Sequence, residues 1–318
     1  MNSPLVSICI PTHNRLEFFK QALASAQQQT YNAIEIIVSD NSDDDATQKY
    51  IATITDKRIF FYRNLKNTDS CDNLNNAARL AQGKYIKYLL DDDLLKLNCV
   101  SKMVEILENY PKVGVVMAPL DIIDAQGNTE QPTFYMFKKM KYLYKYQNKD
   151  LFVPKEKILN DFLTTIYPCC VPTGIMFRKS LFQIIQGFDQ QFKLIGDVDL
   201  CMNFATKMDF FYINEFLSSW RYTQSSETVS IVHKKGIELD IFYKLMQKYI
   251  SYAPSEKKAY FFASKRTALN ILAGIRSKNS TLVFETLRTI LYNDPYTFNK
   301  VALPFNLLFE VIKSLLFL

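Results

Sequence analysis

Three consecutive carboxylates, Asp91-Asp92-Asp93, directly follow the apolar run Tyr85-Ile-Lys-Tyr-Leu-Leu90. Like charges at contact distance raise one another's pKa, so this cluster calls for something positive among its members. A hard divalent cation, Mg²⁺ or Mn²⁺, meets that demand with oxygen ligands, few protein groups and the phosphates of a substrate. The plainer alternative is a solvated helix start, where acids favour the helix dipole.

Three further segments carry polar groups at comparable places. Pro11-Thr-His-Asn-Arg15 offers backbone amides, a hydroxyl and a guanidinium at the mouth of a helix, which suits a diphosphate or a nucleoside. His13 alone reads more readily as a structural imidazole than as a catalyst. In Ser39-Asp-Asn-Ser-Asp-Asp-Asp45, residues Asp43 to Asp45 read as caps of the following helix. Asp40 and Asn41 lie nearer the strand end, where a carboxylate and an amide can meet a nucleobase edge or ribose hydroxyls. In Gly187-Phe-Asp-Gln-Gln-Phe-Lys-Leu-Ile-Gly-Asp-Val-Asp-Leu200, Asp197 and Asp199 flank a helix start. Two positions apart on a helix they point different ways, so one can face a cleft while the other caps or anchors.

The elements that must position these groups are legible from periodicity. Short apolar runs at Val6 to Ile10, Ile34 to Val38, Arg58 to Tyr62 and Tyr85 to Leu90 alternate with helical patterns near Arg15 to Gln28, Ala46 to Ile54, Cys71 to Ala81 and Val100 to Tyr110. Alternation of this kind predicts a mostly parallel α/β sheet with helices on both faces, with the ligand crevice beyond the carboxyl ends of the strands. The polar tracts after the first, second and fourth runs then line one edge. From about Val113 to Tyr222 short strands mix with helices over Lys155 to Leu163 and Gly196 to Lys207, and from Lys234 onward the pattern is helical.

The composition is that of a folded chain: 318 residues, 48% hydrophobic and 22% charged, with only 8 Gly and 11 Pro, exclude collagen-like and mostly disordered classes. The net charge of +6 sits in the last quarter, where residues 231–318 carry 13 basic and 6 acidic side chains. That quarter ends in an apolar stretch, 301–318, which reads either as a membrane-surface segment or as an amphipathic helix packed on its own domain. A second basic stretch, Lys138 to Lys149, reads as a solvated loop or as a mobile flap for an acceptor or lipid headgroup. The basic residues do not form one run, which disfavours nucleic acid as a partner. Six cysteines without a regular framework, and a first segment lacking signal-peptide features, lead us to expect a reducing, cytoplasmic location, with the inner membrane face as the place of any peripheral attachment.

Taken in order, these segments resemble the family 2 glycosyltransferases, over roughly residues 4–225. The resemblance implies a GT-A fold, Rossmann-like, over residues 1–230, with a nucleotide-sugar-binding half at 1–112 and an acceptor-binding half at 113–230, followed by a helical region at 231–318. It further implies an inverting hexosyl transfer from a nucleoside-diphosphate sugar, a UDP-sugar first among them, to a hydroxyl of a glycan or lipid-linked acceptor in bacterial surface polysaccharide synthesis. By the same resemblance Asp197 is the catalytic base. Pro11, Thr12, His13, Arg15, Asp40, Asn41, Asn73 and Asp91 serve the nucleotide sugar. Asp92 and Asp93 hold a divalent cation, Mn²⁺ or Mg²⁺, and Asp189 and Asp199 belong to the acceptor side. The chain departs from the pattern at Asn41 and Gly196, where many relatives carry acids. After Trp220-Arg221, relatives often place a histidine; this chain has Tyr222-Thr-Gln224, and His233 comes too late to replace it. A weaker or substrate-bridged metal is the expected consequence. Two other classes compete: a non-catalytic nucleotide-sugar-binding scaffold, against which the intact Asp197 speaks, and a sugar nucleotidyltransferase, which the scarcity of glycine disfavours.

Overall fold

The computed structural model describes residues 3–64, 68–130, 149–164, 171–222 and 237–253, together with 255 and 259. Residues 138–148 of the second basic stretch, Cys169, Cys170, His233 and the apolar stretch 301–318 lie outside the described residues. The chain divides into two compact units, one of Met1–Ile158 with Tyr167–Thr223 and one of Leu159–Ile166 with Gln224–Leu318.

The first unit is built on an eight-stranded sheet. Its strands are β1 (Val6–Thr12), β2 (Ile34–Asp40), β3 (Ile59–Arg63), β4 (Tyr85–Tyr88), β6 (Val113–Met117), β9 (Leu151–Val153), β10 (Ile175–Arg178) and β11 (Asp209–Tyr212). They lie in the order β3-β2-β1-β4-β10-β6-β11-β9. β3, β2, β1 and β4 run parallel; β10 is antiparallel to both its neighbours, β11 is parallel to β6, and β9 is antiparallel to β11. A smaller sheet orders β5 (Leu94–Leu95), β12 (Ser218–Arg221), β7 (Leu120–Ile123) and β8 (Thr129–Glu130) as β5-β12-β7-β8. The mostly parallel α/β sheet expected from the alternating runs is present.

Local sequence explains these elements. β1 and β2 are buried along their whole length, which parallel strands covered on both faces require. Edge strand β3 is only half buried. Helix α1 (Leu16–Gln27) buries Phe19, Ala22, Leu23 and Ala26, a stripe at helical spacing. It shares a core with Ile8, Ile10, Ile36 and Val38 of the sheet and with Val100, Met103 and Leu107 of α4 (Cys99–Asn109). Helix α2 (Ala46–Ala52) begins where the Asp44 carboxylate accepts the Ala46 N–H, while Asp45 pairs instead with Lys49. Helix α3 (Ser70–Leu80) is capped by Asp69, which accepts the Asp72 N–H at 2.9 Å. It covers the opposite sheet face, where Cys9 Sγ donates to the Ala77 carbonyl.

Helices α5 (Lys155–Thr164), α6 (Lys179–Ile185) and α7 (Gly196–Ala205) follow in the chain. An aromatic cluster ties α7 to the central strands: Phe204 lies 4.8 Å from Phe177 of β10, which lies 5.5 Å from Tyr88 of β4, centroid to centroid. The turn between α6 and α7 is pinned to α3. Asn75 donates to the Phe188 carbonyl at 3.0 Å and accepts the Phe188 N–H at 2.8 Å. The second unit contributes α8 (Ile237–Tyr249) and a 3₁₀ turn at Ile250–Tyr252. Among the described residues no helix is long and apolar enough to cross a membrane.

Gly187 makes the turn possible, because it sits at φ +82° and a Cβ there would come within 2.3 Å of Asn75 Oδ1. Gly187→Ala is therefore expected to destabilise the protein by about 3 kcal/mol, read as a lower urea midpoint at unchanged slope. A midpoint equal to wild type contradicts this account.

Candidate functional site

Parallel pairing brings the polar tracts to one edge. Thr12, the last residue of β1, is registered with Asp40, the last residue of β2, and Asp40 with Arg63 of β3. On the other side β1 pairs with β4, whose continuation carries Asp91 to Asp93.

Two of the three carboxylates are crossed by groups from the β1–α1 loop. Asp91 accepts the His13 backbone N–H at 3.1 Å, and the Arg15 guanidinium lies 2.8 Å from Asp92 and 3.4 Å from Asp91. The imidazole of His13 instead points outward, 62% exposed, toward Asn14 and Asp43. Its place in the site is therefore held by its main chain. Asp93 is fully buried, with one oxygen accepting the Arg221 N–H at 3.0 Å and the other the Thr173 hydroxyl.

Burial pushes all three carboxyls up. Asp91 is raised to about 7, by burial first and by Asp92 second, against the pull of Arg15. Burial likewise raises Asp92, opposed by Arg15 and Arg221. For Asp93 burial and then the charge of Asp92 push upward. Burial is thus the first cause in all three, mutual repulsion adds to it at Asp91 and Asp93, and Arg15 opposes it at Asp91 and Asp92. Among the described residues no group of three or more metal-ligating side chains comes together. An all-protein cage is therefore not what these residues build. A hard cation held by one or two carboxylates and completed by water and substrate phosphates does fit them, with Asp92 and Asp91 nearest the open side and Asp93 committed to holding the loop.

The residues that hold this loop are ones the sequence patterns left unassigned. Arg221, buried at the end of β12, donates to the Asp92 carbonyl at 2.7 Å, to those of Asp124 and Ala125 at 2.8 and 2.9 Å, and to Gln21 Oε1 at 2.9 Å. Its guanidinium also sits 4.9 Å from the Phe18 ring centroid. One side chain thereby joins the carboxylate loop, the β7–β8 turn and α1. A charge inside an otherwise apolar run marks Lys87, which interrupts Tyr85 to Leu90, whereas Arg221 closes Leu217-Ser-Ser-Trp220 with no such signal.

At the other end of the edge, Asp40 is fully buried. Its Oδ1 accepts the Ser42 N–H at 2.8 Å, while its Oδ2 lies 3.3 Å from Arg63 without a hydrogen bond. Buried polar atoms in this condition are costly unless something else satisfies them. Asn41 turns inward: its amide donates to the Thr68 carbonyl at 2.8 Å and accepts from Asn64 at 2.8 Å. Asn73, also buried, donates to the Thr12 carbonyl at 3.2 Å and accepts from Asn64 at 2.9 Å. Pro11 lies buried within β1. Between the start of α1 and its surroundings, Asn14 to Phe18 line a depression of about 270 Å³.

On the expected acceptor side, Asp189 caps the 3₁₀ turn Gln190–Ile195 by accepting the Gln191 N–H at 3.0 Å. Asp197 is half buried in the first turn of α7, where it accepts the Val198 N–H at 2.9 Å. Asp199 is fully buried in the same helix. At Gly196 a Cβ would come within 3.2 Å of Phe188 and 3.3 Å of Cys71 Sγ, so a larger residue there would press on both side chains.

Because Arg221 serves four acceptors, Arg221→Met should lose about 3 kcal/mol of unfolding free energy in urea. Arg221→Lys should recover less than half of it, since a single ammonium cannot span the same acceptors. Full recovery by lysine would show that charge alone matters.

Residues 7–185, more than half of the chain, match the Glycosyl transferase family 2 model. WcaA of Escherichia coli K12, a candidate colanic acid biosynthesis glycosyl transferase, is 25% identical over 292 residues, 91% of this chain and 94% of its own. An uncharacterized glycosyltransferase of Rickettsia typhi is 27% identical over 71% of this chain and 66% of its own. Among solved structures, Staphylococcus aureus TarS residues 1–349 with UDP superposes with a TM-score of 0.58 at 15% identity, covering 82% of this chain and 70% of that one. The TarS complex with UDP-GlcNAc superposes at 0.57 and 14% identity, covering 90% and 91%. The likeness to TarS extends to the GT-A architecture, the family model covers the strands that carry the carboxylate loop, and the chain belongs to glycosyl transferase family 2 and is a glycosyltransferase.

Proposed function

We propose that the protein transfers a sugar from a UDP-sugar to a hydroxyl of a glycan or lipid-linked acceptor in surface polysaccharide synthesis, with inversion at the anomeric carbon. The observation that carries this reading is the placing, along one sheet edge, of the buried Asp40 carboxylate, whose Oδ2 has no hydrogen bond, with the buried Asp91 to Asp93 cluster. The names of WcaA, for the pathway, and of the TarS complexes, for the nucleotide, support it.

In this reading Asp40 Oδ2 accepts the N3–H of uracil, a donor that cytosine lacks at that position. Arg63 holds the carboxylate in place and fixes the loop after β2 through the Ser42 and Asp44 carbonyls. Arg15 turns its guanidinium from Asp92 to the diphosphate. Asp92, with Asp91 beside it, would hold the divalent cation, which when bound would neutralise charge developing on the leaving diphosphate. Asp197 takes the proton of the acceptor hydroxyl as that oxygen bonds to the anomeric carbon. The bond from that carbon to the phosphate oxygen breaks in the same step, and the diphosphate leaves with the electron pair on the opposite face. One displacement gives one inversion. Asp189 and Asp199 support the acceptor side by shaping the segment that carries Asp197.

Asp197→Asn is expected to bind UDP with Mn²⁺ as wild type does while turnover falls by about 10²–10⁴-fold, the range of a lost general base. An Asp197→Asn enzyme with wild-type turnover removes the base assignment and favours a non-catalytic role for that residue. At the nucleobase, UDP is expected to bind at least about tenfold more tightly than CDP, with the difference collapsing in Asp40→Asn. Equal affinities for the two nucleotides in wild type would reject the Asp40 contact.

A further inference from the structure

Lys87 is a charged residue in the middle of a central strand, fully buried, and the sugar-transfer chemistry makes no use of it. Its ammonium donates to the carbonyl of Thr173 and, at 3.3 Å, to that of Ile175. Thr173 is equally buried and uses both its carbonyl and its hydroxyl twice. The carbonyl takes Lys87 and, at 3.0 Å, the Ser218 hydroxyl. The hydroxyl accepts the Leu90 N–H at 3.1 Å and donates to Asp93 Oδ2. Because Leu90 already donates to this oxygen, the single hydroxyl proton is left for Asp93.

The consequence lies in the geometry of the carboxylate loop. Asp93 is held from one side by the Arg221 N–H of β12 and from the other by Thr173, so its carboxylate cannot rotate without breaking one of them. The same hydroxyl grips the chain one residue before the triplet, at Leu90. Both ends of the loop are thus referred to one side chain, itself fixed from beneath by Lys87 and Ser218.

We propose that Thr173 is a positioning residue for the cation site: its hydroxyl, anchored through its own carbonyl by Lys87 and Ser218, sets the orientation of the Asp91 to Asp93 loop. The proposal rests on the donor-site reading above. Removing the hydroxyl leaves Asp93 Oδ2 buried without a donor and frees Leu90. The loop then relieves both by shifting, which carries Asp92 away from where substrate phosphates and cation meet.

The test is calorimetric titration of UDP into wild type, Thr173→Val, Thr173→Ala and Thr173→Ser, each with and without Mn²⁺, with melting temperature followed alongside. The Val and Ala variants should lose at least about tenfold of the factor by which Mn²⁺ tightens UDP binding, while metal-free UDP affinity stays within about twofold. Thr173→Ser should regain the Mn²⁺ factor, and Lys87→Met should lose part of it. A Thr173→Val or Thr173→Ala protein with the full Mn²⁺ factor overturns the proposal. Equal loss with and without Mn²⁺ also overturns it, because that marks a packing role. A wild type that binds UDP but gains nothing from Mn²⁺ overturns it as well. Failure of the wild type to bind UDP at all removes the donor-site reading itself, and this proposal with it.

Discussion

Three carboxylates within one turn of chain, all nearly out of water, repel one another and lose hydration, and every neighbouring element supplies something against that cost. Helix α1 is preceded by Arg15, which spans Asp91 and Asp92. Strand β12 ends in Arg221, whose main chain holds Asp93 and whose side chain holds the Asp92 carbonyl. The segment before β10 supplies the Thr173 hydroxyl. These partners come from three separate stretches of sequence. The loop therefore draws its partners from both the eight-stranded sheet and the smaller sheet.

The same economy of partners appears at the other end of the edge, in neutral form. Asn41, Asn64 and Asn73 satisfy one another and the main chain around Thr12 and Thr68, so the floor beneath the Asp40 carboxylate is a closed amide network. A fully connected polar network is rigid, and rigidity there leaves Asp40 Oδ2 without a hydrogen bond of its own. The segment that carries Asp197 is held differently, largely by apolar contact: Phe177, Phe204 and Tyr88 carry α7 on the sheet, while Asn75 clasps the turn at Phe188 with two hydrogen bonds. Polar fixation holds the end of the edge at Asp40, and packing with one amide clasp holds the segment around Asp197.

Much of this was legible before any coordinates. The alternating runs named the strands and helices of the first half to within a few residues, because buried parallel strands demand near-continuous apolar residues and their helices a 3.6-residue stripe. The acidic, amide and basic tracts after those runs were correctly set on one edge, since parallel strands point their carboxyl ends the same way. Individual side chains were harder. His13 belongs to the site through its amide and not its ring, and Asn41 faces inward, because an amide beside Thr68 and Asn64 gains two hydrogen bonds there. Neither choice leaves a trace in residue type. Thr173, Arg63 and Asn64 carry no pattern at all, each being an ordinary polar residue until folding places it.

The sequence by itself determined the fold class, the family and the edge where chemistry gathers, because those follow from periodicity and from the order of polar tracts along the chain. Tertiary structure alone decided which of those groups remain available. Whether an oxygen is offered to a substrate or consumed by the protein depends on neighbours more than a hundred residues away. Arg221 meets Asp93 and Asp92 across 128 and 129 positions, and Asn75 meets Phe188 across 113. Hydrogen bonds act over about 3 Å, and no local reading of a chain can supply partners that only the closed sheet brings that near.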